Sequence, residues 1–197
     1  MGTDRSLSYR GPCPCGSGEV EVEFCTPDHP WPTKSKWFEN NITCEKCEAK
    51  YAFVEQNNRY GLVDKREIRE GKKRYEAHNA AKADLLGSPQ AREVVSKFII
   101  LLDGQRSMAA CHRLLSSHHL VYESYGTFIR RWKGAEAWVK SNINMHPEHL
   151  VTLSEIIGVK DDYISATVSE LKRLWGESQR PLPFHGDPLF DTSPYRE

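Results

Sequence analysis

The 197-residue chain carries 27 basic and 27 acidic side chains, so its formal net charge is zero, and 39% of its residues are hydrophobic. Such a length holds one ordinary domain or two small ones, and such a composition is globular rather than disordered. The longest apolar run, Phe98-Ile99-Ile100-Leu101-Leu102, falls far short of the roughly 20 residues that cross a bilayer, which argues against a membrane partner.

Residues 1–60 are expected to form a small β module. Residues 1–10 hold no apolar signal-like stretch, so a cytoplasmic, reducing setting is expected, where clustered thiols favour metal over disulfides. Five of the six cysteines, Cys13, Cys15, Cys25, Cys44 and Cys47, precede residue 50. Pro12-Cys13-Pro14-Cys15-Gly16 reads as a tight turn, and Glu19-Val20-Glu21-Val22-Glu23-Phe24 alternates as a half-buried strand does. Cys44-Glu45-Lys46-Cys47 is a CxxC knuckle, followed by Tyr51-Ala52-Phe53-Val54 as a returning strand. Two cysteine pairs, each at a hairpin tip, would bring four thiolates into a tetrahedron around Zn2+. The expected ligands are Cys13, Cys15, Cys44 and Cys47, and the CxC spacing of the first pair leaves Cys25 or His29 open as a replacement. On these residues the segment resembles a zinc ribbon. The ion is then structural: four thiolates leave no open position for catalysis, and so small a core needs the metal to fold. Between the knuckles, Trp31, Lys34, Lys36, Trp37 and Phe38 read as an aromatic lid, with base stacking as the other reading.

Residues 61–87 are expected to form a basic helical connector. The stretch from Asp64 to Leu86 is rich in helix formers, with Gly71 as its one interruption. Residues 56–143 carry 16 basic and 9 acidic side chains, whereas both flanking blocks are acidic. A phosphate backbone responds to that local field rather than to the chain total. The connector reads either as a solvated linker or as a helix lying along phosphates through Lys72, Lys73 and Arg74.

Residues 88–143 show stronger helical periodicity. Ser88 with Pro89 opens a helix whose core face is Val94, Val95, Phe98, Ile99, Leu101 and Leu102. A second starts at Ser107 and buries Met108, Cys111, Leu114 and Leu115; Ser124 caps a third, in which Phe128, Ile129 and Trp132 face inward. His118 and His119, in the turn between the last two, read as solvated. Three short helices in this order resemble the tri-helical helix-turn-helix superfamily, and Ser107 to Trp132 resembles the tri-helical modules of plasmid- and transposon-associated regulators. The turn from Ser117 to Glu123 departs from that pattern by its length and its lack of glycine. The resemblance implies that Tyr125, Thr127, Arg130 and Arg131 face the major groove of double-stranded DNA, with Lys133 at a phosphate.

Residues 144–176 contain a second helix-turn-helix spacing around Gly158, but Asp161, Asp162 and Glu170 would repel phosphates there. This segment is read as a structural or homodimer-forming unit. Residues 177–197, with four prolines and no periodicity, are expected to be an extended or disordered tail. The expected fold class is therefore α+β, a small N-terminal β zinc ribbon followed by a mainly α-helical bundle of helix-turn-helix type.

No phosphate-cradling glycine loop, HExxH or nucleophile elbow occurs, so no enzymatic activity is expected. The sequence reads as a zinc-containing DNA-binding protein, a transcriptional regulator or an accessory factor of a mobile element or phage. The competing reading is a protein-interaction module, an inhibitor or adaptor of a host protein complex. RNA binding through the aromatic loop is a third.

Overall fold

The computed structural model describes residues 3–27 and 36–195. The fold is α+β, and the chain divides into two compact units, Met1–Lys73 with Arg180–Glu197, and Arg74–Gln179. No helix among the described residues is long and apolar enough to cross a membrane.

The first unit contains two three-stranded antiparallel sheets. One is formed by β1 (Thr3–Pro12), β2 (Glu19–Pro27) and β3 (Trp37–Ile42). The other is formed by β4 (Tyr51–Gln56), β5 (Arg59–Asp64) and β6 (Phe190–Asp191), with the short helix α1 (Glu45–Lys50) preceding β4. The alternation read in β2 is real, since Val20 and Val22 are completely buried between more exposed glutamates. The β4–β5 hairpin turns on Asn57 and Asn58, whose φ values of 52° and 59° are positive. Asparagine tolerates that left-handed conformation, which two-residue hairpins require. A cluster of aromatic rings, half-buried apart from the buried Tyr60, joins strands of both sheets: Phe38 lies 4.9 Å from Tyr60 and 5.4 Å from both Phe24 and Phe190.

Of the two forms expected for the C-terminal segment, extended or disordered, the described residues take the extended one. Its lack of periodicity holds, but it runs along β4 and β5 as a hydrogen-bonded strap. Leu182 N–H donates to the Gln56 side chain at 2.9 Å, His185 N–H to Leu62 O at 2.7 Å, and Leu189 N–H to Tyr60 O at 2.8 Å. Beyond them Thr192 N–H donates to Asn58 O at 2.7 Å. Gly61 admits the strap: a Cβ there would lie 2.5 Å from the Phe184 ring.

The second unit is helical. Helix α2 (Lys65–Gly87) runs through Gly71 without a break and contributes residues 74–87 to it. Then follow α3 (Pro89–Asp103), α4 (Met108–Ser117), α5 (Tyr125–Arg131), α6 (Ala135–Met145), α7 (His149–Ile156) and α8 (Asp162–Ser178). Ser88, Ser107, Ser124 and Asp161 each accept the third N–H of the helix they open, which satisfies one orphan donor per helix. Helix α3 buries Ala91, Val94, Phe98 and Leu102 along a single stripe. A single cluster joins that stripe to Cys111, Leu115, Phe128, Trp138, Leu150 and Ile164. The segments read as separate, 88–143 and 144–176, therefore share one core.

Two helix ends differ in an instructive way. At the end of α7, Gly158 takes φ +72°, while its N–H bonds Glu155 O and the Val159 N–H bonds Ser154 O, which is a Schellman motif. The end of α4 has the same pattern, His119 N–H to Ser116 O and Leu120 N–H to Leu115 O, with His119 at φ +56° in the left-handed position. The turn that lacks glycine thus makes a glycine-type cap with histidine, and buried Leu120 supplies its hydrophobic contact. His119→Gly is expected to stabilise the helical unit by up to ~1 kcal/mol by relieving that conformation. Chemical denaturation would show an unchanged or lower midpoint if the histidine side chain held the turn.

Candidate functional site

The first knuckle is the tip of the β1–β2 hairpin. Cys13 N–H donates to Gly18 O and Gly16 N–H to Cys13 O, both at 2.8 Å, and Gly16 takes φ +73° to close the turn. The second knuckle differs from expectation: it is not a hairpin tip but the first turn of α1, with Cys44 at the N-cap position and Glu48 N–H returning to Cys44 O at 2.9 Å. The two knuckles are fastened together by Thr43, whose hydroxyl accepts the Glu19 N–H at 2.8 Å. Gly18 is needed at that seam, because a Cβ would meet Thr43 Oγ1 at 2.7 Å.

This backbone brings Cys13, Cys15, Cys44 and Cys47 together, with their four sulfurs all within 4.8 Å of one another. Cys15 Sγ lies 3.4 Å from both Cys13 Sγ and Cys44 Sγ, too far apart for disulfides, which need about 2.05 Å. No other group of three or more histidine, cysteine or acidic side chains among the described residues is gathered this tightly. Cys25 is not part of the cluster; it is fully buried on β2, opposite Arg5 and Trp37. His29 lies outside the described residues, as do Trp31 and Lys34 of the expected lid. Phe38 of that lid is half-buried and packs against the Phe24 and Tyr60 rings. Cys111, as expected, is a buried apolar residue, with its thiol directed at Leu102 O.

The four thiols are electrostatically unequal. Hydrogen bonds from the Ser17 backbone and hydroxyl, then from Cys44 and Cys13, bring the exposed Cys15 down to about 6. Burial, helped by the Cys15 side chain, pushes Cys47 up to about 12. Ser17 was not singled out from the sequence; its donors favour the thiolate because hydrogen bonds to the charged form lower a pKa. In metal-free protein held cold enough for the N-terminal unit to stay folded, Cys15 is therefore expected to react first with iodoacetamide, at a rate that climbs through pH 6 and levels off above it. Peptide mapping that found Cys47 modified as fast as Cys15 at pH 7 would contradict this ordering.

The residues assigned to DNA lie on two elements. Helix α5 and its C-terminal end hold Tyr125, Thr127, Arg130, Arg131 and Lys133. All but the half-buried Thr127 are exposed. Arg130 Nε donates to Gly126 O at 3.0 Å, which lays that guanidinium along its own helix. Arg131 lies 3.8 Å from Glu123 and 5.3 Å from the Trp132 ring centroid. Ile129 does not face inward: it is 45% exposed, because the seven-residue helix buries Phe128 and half-buries Trp132, and has no face left for it. In the turn before α5, Tyr122 is 84% exposed, a surface aromatic that the sequence did not single out. On α2, Lys72 and Lys73 are exposed, whereas Arg74 is half-buried with its Nε unpartnered. His118 and His119 are exposed.

No protein-family model matches this chain, and no curated protein or solved structure matches it significantly.

Proposed function

We propose that this is a zinc-stabilised protein that binds double-stranded DNA, acting as a transcriptional regulator or as an accessory factor of a mobile element or phage. Zinc is favoured by the donor set. Four thiolates at about 2.3 Å from one ion stand roughly 3.8 Å apart in a tetrahedron, and the sulfur spacings here, from 3.4 Å up to 4.8 Å, bracket that value. When bound, the ion supplies a cross-link between the two knuckles, and the closed sulfur set gives it no catalytic position.

The DNA reading rests on one observation. Helix α5 follows α4 through a capped turn, carries exposed Tyr125, Arg130 and Arg131, and is followed by Lys133, while residues 124–135 contain no acidic side chain. The α7–α8 pair has comparable spacing but opens α8 with Asp161 and Asp162, which repel phosphate. Arginines on a helix of this kind would reach base edges, and Lys133 a phosphate.

Mobility shifts on random duplex DNA at two salt concentrations test the reading. Affinity is expected to fall steeply as salt rises, and the Arg130→Ala/Arg131→Ala pair to weaken binding at least ~10-fold. Equal retention of duplex by wild type and the double variant, or indifference to DNA in dilute buffer, would remove α5 as the interface. Preference for single strands over duplex would move the assignment to RNA or single-stranded nucleic acid.

A further inference from the structure

Among the described residues nine large hydrophobic side chains are notably exposed, and three of them, Tyr75, Met145 and Trp175, rim one groove of the helical unit. The groove has a volume of about 480 Å³. Its walls are two helix stripes of matching period. On α2 the lining positions are 75, 78, 79 and 82, and on α8 they are 168, 171, 172 and 175. Each set is spaced i, i+3, i+4, i+7, which is a single face of a helix. Val168 and Leu171, both almost fully buried, make the floor, and the turn from Met145 to Glu148 closes one end.

Such faces are normally covered by another helix. Here each stripe runs about two turns, on the order of 10 Å at 1.5 Å per residue, and presents half-exposed Tyr75 and Trp175 at its ends. His78 packs 5.1 Å from the Trp175 ring, which holds the indole at the rim. An amphipathic helix laid into a groove of this shape is a recurrent recognition mode, with apolar anchors at the same spacing.

The charge at the rim selects the occupant. Lys82 and Lys172 line the groove, and neither ammonium is paired with any described residue. The one carboxylate of the lining, Glu148, lies 3.4 Å from the His146 ring. Aromatic and methionine anchors argue against a nucleic-acid backbone as the ligand, since phosphates offer them nothing to bury against. A second copy of the chain would set these lysines against their own kind. We infer that this groove binds a short amphipathic helix of a partner protein, one with apolar anchors at i, i+3/i+4 and i+7 and acidic side chains flanking them. This does not depend on the DNA reading, because α5 takes no part in the groove.

The test is selection from a displayed library of random 12-residue peptides on the full-length metal-loaded protein, counter-selected against the Tyr75→Ala/Trp175→Ala variant. The enriched peptides are then measured by fluorescence anisotropy. Expected are sequences with the stated apolar spacing and flanking Asp or Glu. They should bind wild type at least ten-fold more tightly than Trp175→Ala, and more tightly than Lys82→Glu/Lys172→Glu. Tyr75, Lys172 and Trp175 are exposed and Lys82 is half-buried, and unchanged melting profiles would confirm that the variants fold. No enrichment, enriched peptides lacking the acidic amphipathic pattern, or equal binding to the variants would overturn the inference. So would a wild-type dimer that Trp175→Ala converts to monomer, since the occupant would then be a second copy.

Discussion

Cys47→Ser is expected to abolish stoichiometric metal and to unfold most of the N-terminal unit near physiological temperature, leaving the helical unit intact. Cys47 is almost fully buried, and the small cluster around it consists of Cys13, Val20, Ile42, Cys47, Tyr51 and Leu62. Two of those six are thiols of the four-cysteine cluster, so in the proposed site the same side chains would serve as core and as ligands. Structural zinc contributes on the order of 10 kcal/mol to small metal-dependent folds, whereas a core of this size supplies roughly 3–5 kcal/mol. Removing one thiolate therefore forfeits the larger contribution and leaves a hydroxyl in a buried position. Metal quantification together with differential scanning calorimetry should show zinc near one per chain in wild type and near zero in the variant. The same loss should follow exhaustive chelation of wild type. A variant that kept its metal, or melted like wild type, would show that the thiols are clustered for another reason.

The second large effect belongs to the other unit. Phe98→Ala is expected to destabilise the helical unit by about 3–5 kcal/mol, the usual range for emptying a buried aromatic site. Phe98 is completely buried in the stripe by which α3 joins the shared core. Against a typical domain stability of about 5–15 kcal/mol, such a loss brings the unit close to its threshold. Calorimetry should move the helical transition alone and leave metal content unchanged. A change below about 1 kcal/mol would mean that neighbouring side chains close over the cavity, or that the core is centred elsewhere.

Much of this was legible in local patterns. The serine caps, the alternation of β2, the α3 stripe and each of the two cysteine pairs are short-range signals, each readable within a dozen residues. What escaped was long-range or compensatory. The strap from Leu182 to Thr192 pairs with residues more than 120 positions away, and its one strand is two residues long, so no periodicity announces it. Cys44 and Cys47 were correctly paired with the first knuckle, but their place on a helical turn depends on how β3 enters α1, which the CxxC spacing does not specify. Ile129 reads as inward by helical period, yet a helix as short as α5 has room to bury only Phe128 fully. His119 substitutes for the glycine that the turn lacks, and only the backbone angle reveals this.

The chain leaves the first unit at Lys73 and returns to it at Arg180. On the ribosome, then, the two units cannot mature in the order in which they begin. The helical unit is contiguous and can close as soon as Gln179 has emerged, since domains fold as units during synthesis. The cysteine-bearing unit has its thiols out early but must wait for Phe190 to complete its second sheet. A nascent chain arrested before Arg180 would thus carry a finished helical bundle beside a thiol-rich half whose last strand does not yet exist.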